Sequence, residues 1–244
     1  MSNGAGMFYG VGVGPGQAKM LPVAAFEALK TADVIIAPRA RSSDFSIARQ
    51  CLVGLDLDQS RFREVIFNMD PEREQIESHY AEMAQSIVQD LKNGKSVAYL
   101  TIGDSLTYST YSYLLSAIEE IFPAVEHRTF PGITSYAAAA SMVDFPLGQG
   151  KERMLILPCP DDVSELRREI ETHDIVILMK IGKRFADVIS LLQNMHIEKH
   201  CALVSRVGLS GEVIHRSLAF LTEKESLGYL TTMLIRKTAL KEKV

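Results

Sequence analysis

The sequence predicts an α/β fold arranged as two α/β domains with a cleft between them. Three observations carry this. Short apolar runs such as Val34-Ile35-Ile36-Ala37, Val97-Ala98-Tyr99-Leu100 and Ile175-Val176-Ile177-Leu178 recur along the chain. Runs of that kind suit strands buried on both faces of a parallel sheet. Segments with helical spacing alternate with them, as right-handed crossovers between parallel strands require. The rhythm then resets after Gly150, so we place an N-terminal domain over 1–129 and a C-terminal domain over 130–244, joined near Pro131.

Taken in order, Met7 to Val13 is the first strand, turned by Gly14-Pro15-Gly16. Pro22 opens a helix to about Lys30, with Val23, Phe26, Ala28 and Leu29 inward. Ala32 to Ala37 is the second strand, which Pro38 ends. Arg39 to Ser43 is then a basic, hydroxyl-rich loop. Ser46 to Leu52 makes a short helix and Glu64 to Phe67 a strand, followed by a loop through Asn68-Met69-Asp70. Pro71 starts a long amphipathic helix that ends near Lys92 and is capped by Asn93-Gly94. Ser96 to Leu100 is the central strand. It runs into Gly103-Asp104, with Asp104 or Ser105 as N-cap of the helix that follows over Tyr111 to Ile121. Val125 to Thr129 is the next strand, and Tyr136 to Ala140 a helix of small residues. Beyond Gly150 come strands at Met154–Pro158, Asp174–Met179, Cys201–Ser205, Glu212–Ser217 and Tyr229–Ile235, and helices at Glu165–Glu171 and Phe185–Met195.

Composition narrows the class. Of 244 residues, 47% are hydrophobic and 23% charged, which describes an ordinary globular chain long enough to bury a full core. The net charge of -4, with no block of one sign, gives no basic face for nucleic acid. No apolar run is long enough for a membrane span, and the start of the chain lacks the basic and apolar regions of a signal peptide, so the expected location is the cytoplasm. Cys51, Cys159 and Cys201 are scattered, without metal-ligand spacing. His196 and His200 stand four apart with Glu198 and Lys199 between them, as in a solvated loop. No protein-bound metal is expected.

Three loops fall at strand ends: Gly12-Val13-Gly14-Pro15-Gly16, Thr101 to Tyr108 (TIGDSLTY), and Pro131-Gly132-Ile133-Thr134-Ser135. In open α/β sheets ligands bind at the carboxyl ends of strands, where glycine admits a close approach to the backbone. The glycines at 10, 12, 14 and 16 suggest a dinucleotide fingerprint. That fingerprint also needs an acidic residue at the end of the second strand, but Asp33 stands at its start and Pro38-Arg39 at its end. A nicotinamide enzyme is therefore not the reading.

The order and spacing of these loops resemble the tetrapyrrole (corrin/porphyrin) methyltransferase family, across nearly the whole chain. That family carries a GxGPGD loop, a GDP-containing loop and a PGIT loop. Leu178-Met179-Lys180 and Leu203-Val204-Ser205-Arg206-Val207 fit it too. Ser46-Ile47-Ala48-Arg49, Phe67-Asn68-Met69 and Tyr108-Ser109-Thr110-Tyr111 look most like the branch that methylates C-20 of precorrin-2 or cobalt-factor II in cobalamin biosynthesis. Gln17 stands where the family usually has Asp, Ala18 and Pro22 break the usual continuation of that loop, and Ser105 stands where the family usually has Pro.

The resemblance implies a tetrapyrrole methylase-like fold, a homodimer and S-adenosyl-L-methionine as co-substrate. Carried over, the donor-binding positions are Pro15, Ile102, Gly103, Asp104, Thr107, Thr134, Ser135, Met179 and Val207. Asp104 either pairs with the donor's ammonium group or caps the next helix. The implied substrate is a macrocycle bearing many carboxylates, which a net acidic chain must meet with local cations. Arg39, Arg41, Arg49, Lys180, Lys183, Arg184 and Arg206 are the candidates, since Arg binds carboxylates bidentately. Methyl transfer from a sulfonium needs alignment and a dry pocket more than a strong base, and no general base is identifiable. The other readings are a methyltransferase of the same fold acting on another tetrapyrrole, a protein or RNA, and a non-catalytic nucleotide-binding module.

Overall fold

The computed structural model describes residues 4–41, 43–67, 73–222, 224–225 and 227–239. Ser42, Asn68 to Asp70, and Pro71 as a helix start lie outside the described residues. The chain divides into two compact units, Met1–Thr134 and Ser135–Val244. The sequence places this boundary after Thr129. In the structure the last strand of the first sheet runs through Phe130, and the Gly132 N–H donates to Asp104, which keeps the loop with the first unit.

The first unit carries a five-stranded sheet in the order β3-β2-β4-β1-β5. Its strands are β1 (Phe8–Gly12), β2 (Val34–Ala40), β3 (Phe62–Phe67), β4 (Val97–Thr101) and β5 (His127–Phe130). Every pairing is parallel, so all five carboxyl ends lie along one edge. The chain leaves β1 through α1 (Val23–Thr31) towards β2, and leaves β4 through α4 (Tyr111–Ile121) towards β5. The two connections depart in opposite directions along the sheet. That divergence marks a topological switch point at neighbouring strands β1 and β4.

One sheet face buries Phe8, Val34, Ile36, Val97 and Tyr99 against α3 (Arg73–Lys92) and α4, which contribute Ala84, Ile87, Leu91, Leu114 and Ile118. Between β2 and β3 comes the one-turn α2 (Ile47–Gln50), with Ser46 as its N-cap. At the amino edge, Asp33 accepts from the Ser96 N–H and Oγ, both at 2.7 Å. Asp33 therefore ties two strand starts together, on the edge opposite the glycine loops.

Pro38 does not end β2. The strand continues through Arg39 and Ala40, paired with β3 from Ile35 onward. Its pairing with β4 stops at Ile36. Past that point β2 has one neighbour, and a proline without an N–H costs no ladder bond.

The second unit holds a sheet in the order β6-β7-β10-β8-β9. The strands are β6 (Met154–Pro158), β7 (Ile175–Met179), β8 (Ala202–Ser205), β9 (Val213–His215) and β10 (Thr231–Arg236). β6 and β7 are parallel, while β10 is antiparallel to both β7 and β8. Hence β6, β7 and β8 share one direction, and the carboxyl ends of β7 and β8 lie on one edge. Helices α6 (Val163–Thr172) and α7 (Phe185–Asn194) cover the core of Leu166, Ile170, Val188, Leu192, Leu178, Leu203 and Met233. Helix α5 (Ser135–Met142) buries Ala138, Ala139 and Ala140, whose small side chains let it lie close to its neighbours.

Candidate functional site

The three glycine-bearing loops of the first unit meet at the carboxyl edge, beside the switch point. Gly14 and Gly103 exchange two backbone hydrogen bonds, of 3.1 and 2.8 Å. The Val13 N–H donates to the Thr101 carbonyl at 2.9 Å. Gly132 lies so close that a Cβ on it would stand 2.0 Å from the Gly103 oxygen, and one on Gly12 would stand 2.6 Å from the Gly132 nitrogen. Only glycine lets three main chains pack in this way. Gly103 itself has φ +72, and a Cβ there would meet only the Ile133 oxygen, at 3.9 Å. The side of Gly103 is thus open to a close approach by a ligand. Of the other predicted donor positions in these loops, Pro15 is buried, and Ile102, Thr107 and Thr134 are half-buried.

Asp104 fastens the junction. Its Oδ1 accepts from the N–H of Leu106 and Thr107, each at 3.0 Å, and from Thr107 Oγ1 at 2.9 Å. Its Oδ2 accepts from the Gly132 N–H at 3.0 Å. Burial pushes this carboxyl up, but the bonds from Gly132, Leu106 and Thr107 outweigh it and hold the pKa below the usual aspartate value. The carboxylate therefore stays ionised and stitches two loops together. It is not the N-cap of α4, which starts at Tyr111, six residues beyond Ser105. Ser105 adds a separate tie, because its fully buried Oγ donates to the Phe130 carbonyl at 2.8 Å, a bond no proline could make.

The predicted cations gather into two groups. Arg39 lies in β2 rather than in a loop, and its Nε stands 3.5 Å from Glu64 Oε2. Arg49 Nη1 approaches Glu64 Oε1 at 3.1 Å, its Nη2 donates to Gln59 Oε1, and its guanidinium lies over the Phe62 ring. Two guanidiniums thus share one carboxylate and keep a local charge of one positive unit. Arg41 is exposed nearby. Glu64 is the residue that sequence reasoning passed over, because nothing in a strand pattern says which carboxylate will face an arginine fifteen residues away.

In the second unit Met179 ends β7, and its carbonyl accepts the Cys159 N–H at 2.7 Å. Lys180 and Arg206 directly follow β7 and β8, and both sit in the left-handed region, at φ 53 and 54. Non-glycine residues hold that conformation only where their surroundings enforce it. The Arg206 N–H donates to the Leu230 carbonyl and its Nε to the Ser210 carbonyl, while Val207 beside it is buried. Arg184 pairs with Asp161 and donates to the Lys180 carbonyl, so it braces this loop, and Lys183 is exposed. Ser135 Oγ lies 3.1 Å from Thr232 Oγ1, which pins the start of α5 to β10.

A second feature that sequence reasoning passed over is the pairing of Gly10 with Tyr111. A Cβ on Gly10 would stand 2.1 Å from the Tyr111 ring. This glycine makes room for an aromatic ring and not for a turn. The signal available in sequence was a glycine in mid-strand, which marks a close approach.

Comparison with known proteins identifies the family. A family model described as Tetrapyrrole (Corrin/Porphyrin) Methylases matches residues 7–220. A probable cobalt-precorrin-2 C(20)-methyltransferase of Methanocaldococcus jannaschii is 31% identical, covering 94% of this chain and 95% of its own. The cobalt-precorrin-2 C(20)-methyltransferase of Salmonella typhimurium is 28% identical, over 95% and 97% of the two chains. Among solved structures, a uroporphyrin-III C-methyltransferase of Thermus thermophilus complexed with S-adenosylhomocysteine superposes with a TM-score of 0.63. It is 16% identical and covers 95% of this chain and 92% of its own. No helix among the described residues is long and apolar enough to cross a membrane. The chain belongs to the tetrapyrrole methylases.

Proposed function

We propose that this chain methylates C-20 of precorrin-2 or its cobalt-containing counterpart, using S-adenosyl-L-methionine. The observation that carries the reading is the junction of three loops at Gly12, Gly103 and Gly132, built from main chain, on a member of a methylase family. Its open side at Gly103 suits a ligand held by backbone atoms.

The donor supplies a methyl group from its sulfonium. Carbon C-20 takes the methyl, the sulfur keeps the electron pair of the broken bond, and the C-20 proton passes to solvent. The protein's part is alignment and exclusion of water. Ile102 offers main-chain groups and Gly103 an open side, its own N–H and carbonyl being bonded to Gly14, and Pro15, Thr107, Thr134 and Ser135 flank them or follow in the chain. Asp104 serves by holding the loops, since four donors already occupy its oxygens. Met179 and Val207 are the second unit's candidates for donor contact. The macrocycle's carboxylates fall to Arg39, Arg41, Arg49, Lys180 and Arg206. The family resemblance favours a homodimer.

The direct test is anaerobic turnover with S-adenosylmethionine, offering metal-free precorrin-2 and cobalt-factor II in parallel. One added methyl by mass spectrometry, on one substrate or both, is the expected result. Donor binding without methylation of either would defeat the substrate assignment and turn attention to protein and RNA acceptors. Arg39→Ala with Arg41→Ala should weaken macrocycle binding about tenfold and spare the donor, in keeping with the loss of exposed charge-assisted bonds. Unchanged macrocycle affinity would remove these two arginines from the clamp.

A further inference from the structure

Tyr108-Ser109-Thr110-Tyr111 plays no part in the function as proposed so far, yet its second half is tied on several sides. Thr110 Oγ1 lies 3.1 Å from the hydroxyl of Tyr99, a fully buried residue of β4. Tyr80, buried on α3, interacts with the same Thr110 side chain. Burial raises both tyrosines, Tyr99 to about 12, so both keep their hydroxyl protons. Either oxygen of the Tyr99–Thr110 pair can be the donor. The next residue is anchored as well: Tyr111 OH lies 2.7 Å from Thr129 Oγ1, and its ring fills the space left by Gly10.

The loop's other end is held by Asp104 and by the buried Ser105 hydroxyl. Between these anchors stand two exposed apolar side chains, Leu106 at 61% and Tyr108 at 44% exposure. Tyr108 has φ 51. A tyrosine in the left-handed region costs about 1 kcal/mol or more and persists only where the surroundings over-determine it. Ile133, 41% exposed, adjoins Gly132 and so lies by the same Asp104 carboxylate. Two fixed segments thus present apolar surface, both tied to the Asp104 carboxylate that follows Gly103.

We propose that Thr110 is a positioning residue, whose hydroxyl, held by Tyr99 and Tyr80, fixes Leu106 to Tyr108 as an apolar shelf for one face of the tetrapyrrole ring. This rests on the methyltransferase reading and names the part of the chain that orients its substrate. A flat ring suits a rigid apolar shelf, while the carboxylates at its rim suit the cations. The shelf sets where the target carbon lies, and a misplacement of about 1 Å can cost about a hundredfold in rate.

The test uses Thr110→Val, which keeps the shape and removes the hydroxyl, with Thr110→Ser as the rescue. In Thr110→Val, kcat with the macrocycle should fall at least about tenfold, while the Kd for S-adenosylhomocysteine by calorimetry stays within about twofold. Thr110→Ser should return kcat to within about threefold of the parent. Leu106→Asp should raise the macrocycle KM without lowering Tm. A Thr110→Val chain with lowered Tm but unchanged kcat and KM would overturn the proposal and leave Thr110 a core contact. So would a serine variant that fails to restore the rate. Amide exchange separates this failure from that of the function. If the parent chain methylates no tetrapyrrole, the function falls and takes the shelf with it. If it turns over but residues 106–109 exchange at equal rates in parent and Thr110→Val, the positioning role alone is wrong.

Discussion

The first unit fastens its loops with main chain, the second with a side chain. At the carboxyl edge of the first sheet, Gly12, Gly103 and Gly132 touch backbone to backbone, and one aspartate closes the arrangement. In the second unit the segment after α5 is held by Arg236, which is buried at the end of β10. Its guanidinium pairs with Glu152, donates to the Pro146 carbonyl and lies over the Phe145 ring. A backbone junction admits no side chain at all, so it is brittle and exact in position. A side-chain anchor can be trimmed by degrees. The brittle device stands where a ligand would need fixed main-chain groups, and the graded one where a loop only has to be kept down.

The sharpest way to break this contrast is Gly132→Ala. Its Cβ would collide with the Gly103 oxygen, and the expected cost is about 3 kcal/mol or more, with loss of donor binding. Urea denaturation and calorimetry would read both, and a Tm within about 1–2 °C of the parent would show that the junction gives way easily. Gly148→Ala, where a Cβ meets nothing within 4 Å, is the matched control and should be silent. Next in size is Arg236→Met. Removing one partner of a buried ion pair costs about 3–5 kcal/mol, and because Glu152 keeps 25% of its side-chain exposure a smaller cost of about 2–3 kcal/mol is expected. Donor affinity should hardly move, which distinguishes the two devices.

Asp104→Asn comes third, and pH sharpens it. The folded-state pKa of Asp104 is depressed, so its contribution to stability is fully present above the unfolded value of about 3.9 and is lost as pH falls through the folded value. Parent and variant should differ at pH 7, and the gap should narrow as pH falls below about 4 towards the folded value. A gap that stays constant along the whole acid limb would mean the carboxylate is not the clasp. The smallest effect is chemical. Cys51 and Cys201 are buried with pKa pushed up to about 12, one thiol in each unit. At pH 8 neither should react with a thiol reagent in the native chain. Gly132→Ala should expose Cys51 before Cys201, and Arg236→Met the reverse.

Much of this architecture was legible in the sequence because burial writes a pattern. The run Val97 to Leu100 is buried throughout, and Met154 to Pro158 forms a strand with the predicted bounds. The glycine loops were legible because main-chain contact leaves glycine as its trace. What stayed hidden depends on partners far apart in the chain. Arg236 and Glu152 are separated by 84 residues, and no local rule pairs them. Thr110 reads as an ordinary helix start until Tyr99 and Tyr80 are folded against it. Pro38 was misleading because a proline's effect depends on how many neighbours its strand has at that point, which is a property of the sheet. The arginines at strand ends were visible, but their sharing of Glu64 was not.

The Tyr111 ring resting where Gly10 lacks a side chain has a consequence for how this chain can change over time. Neither position is free to vary by itself: an alanine at 10 evicts the ring, and a small residue at 111 leaves a hole above the strand. The two losses should not add, because the ring that the alanine displaces is the ring that the second change removes. Positions 10 and 111 should therefore behave as one coupled unit in a double-mutant cycle, far apart in the chain and in contact in the fold.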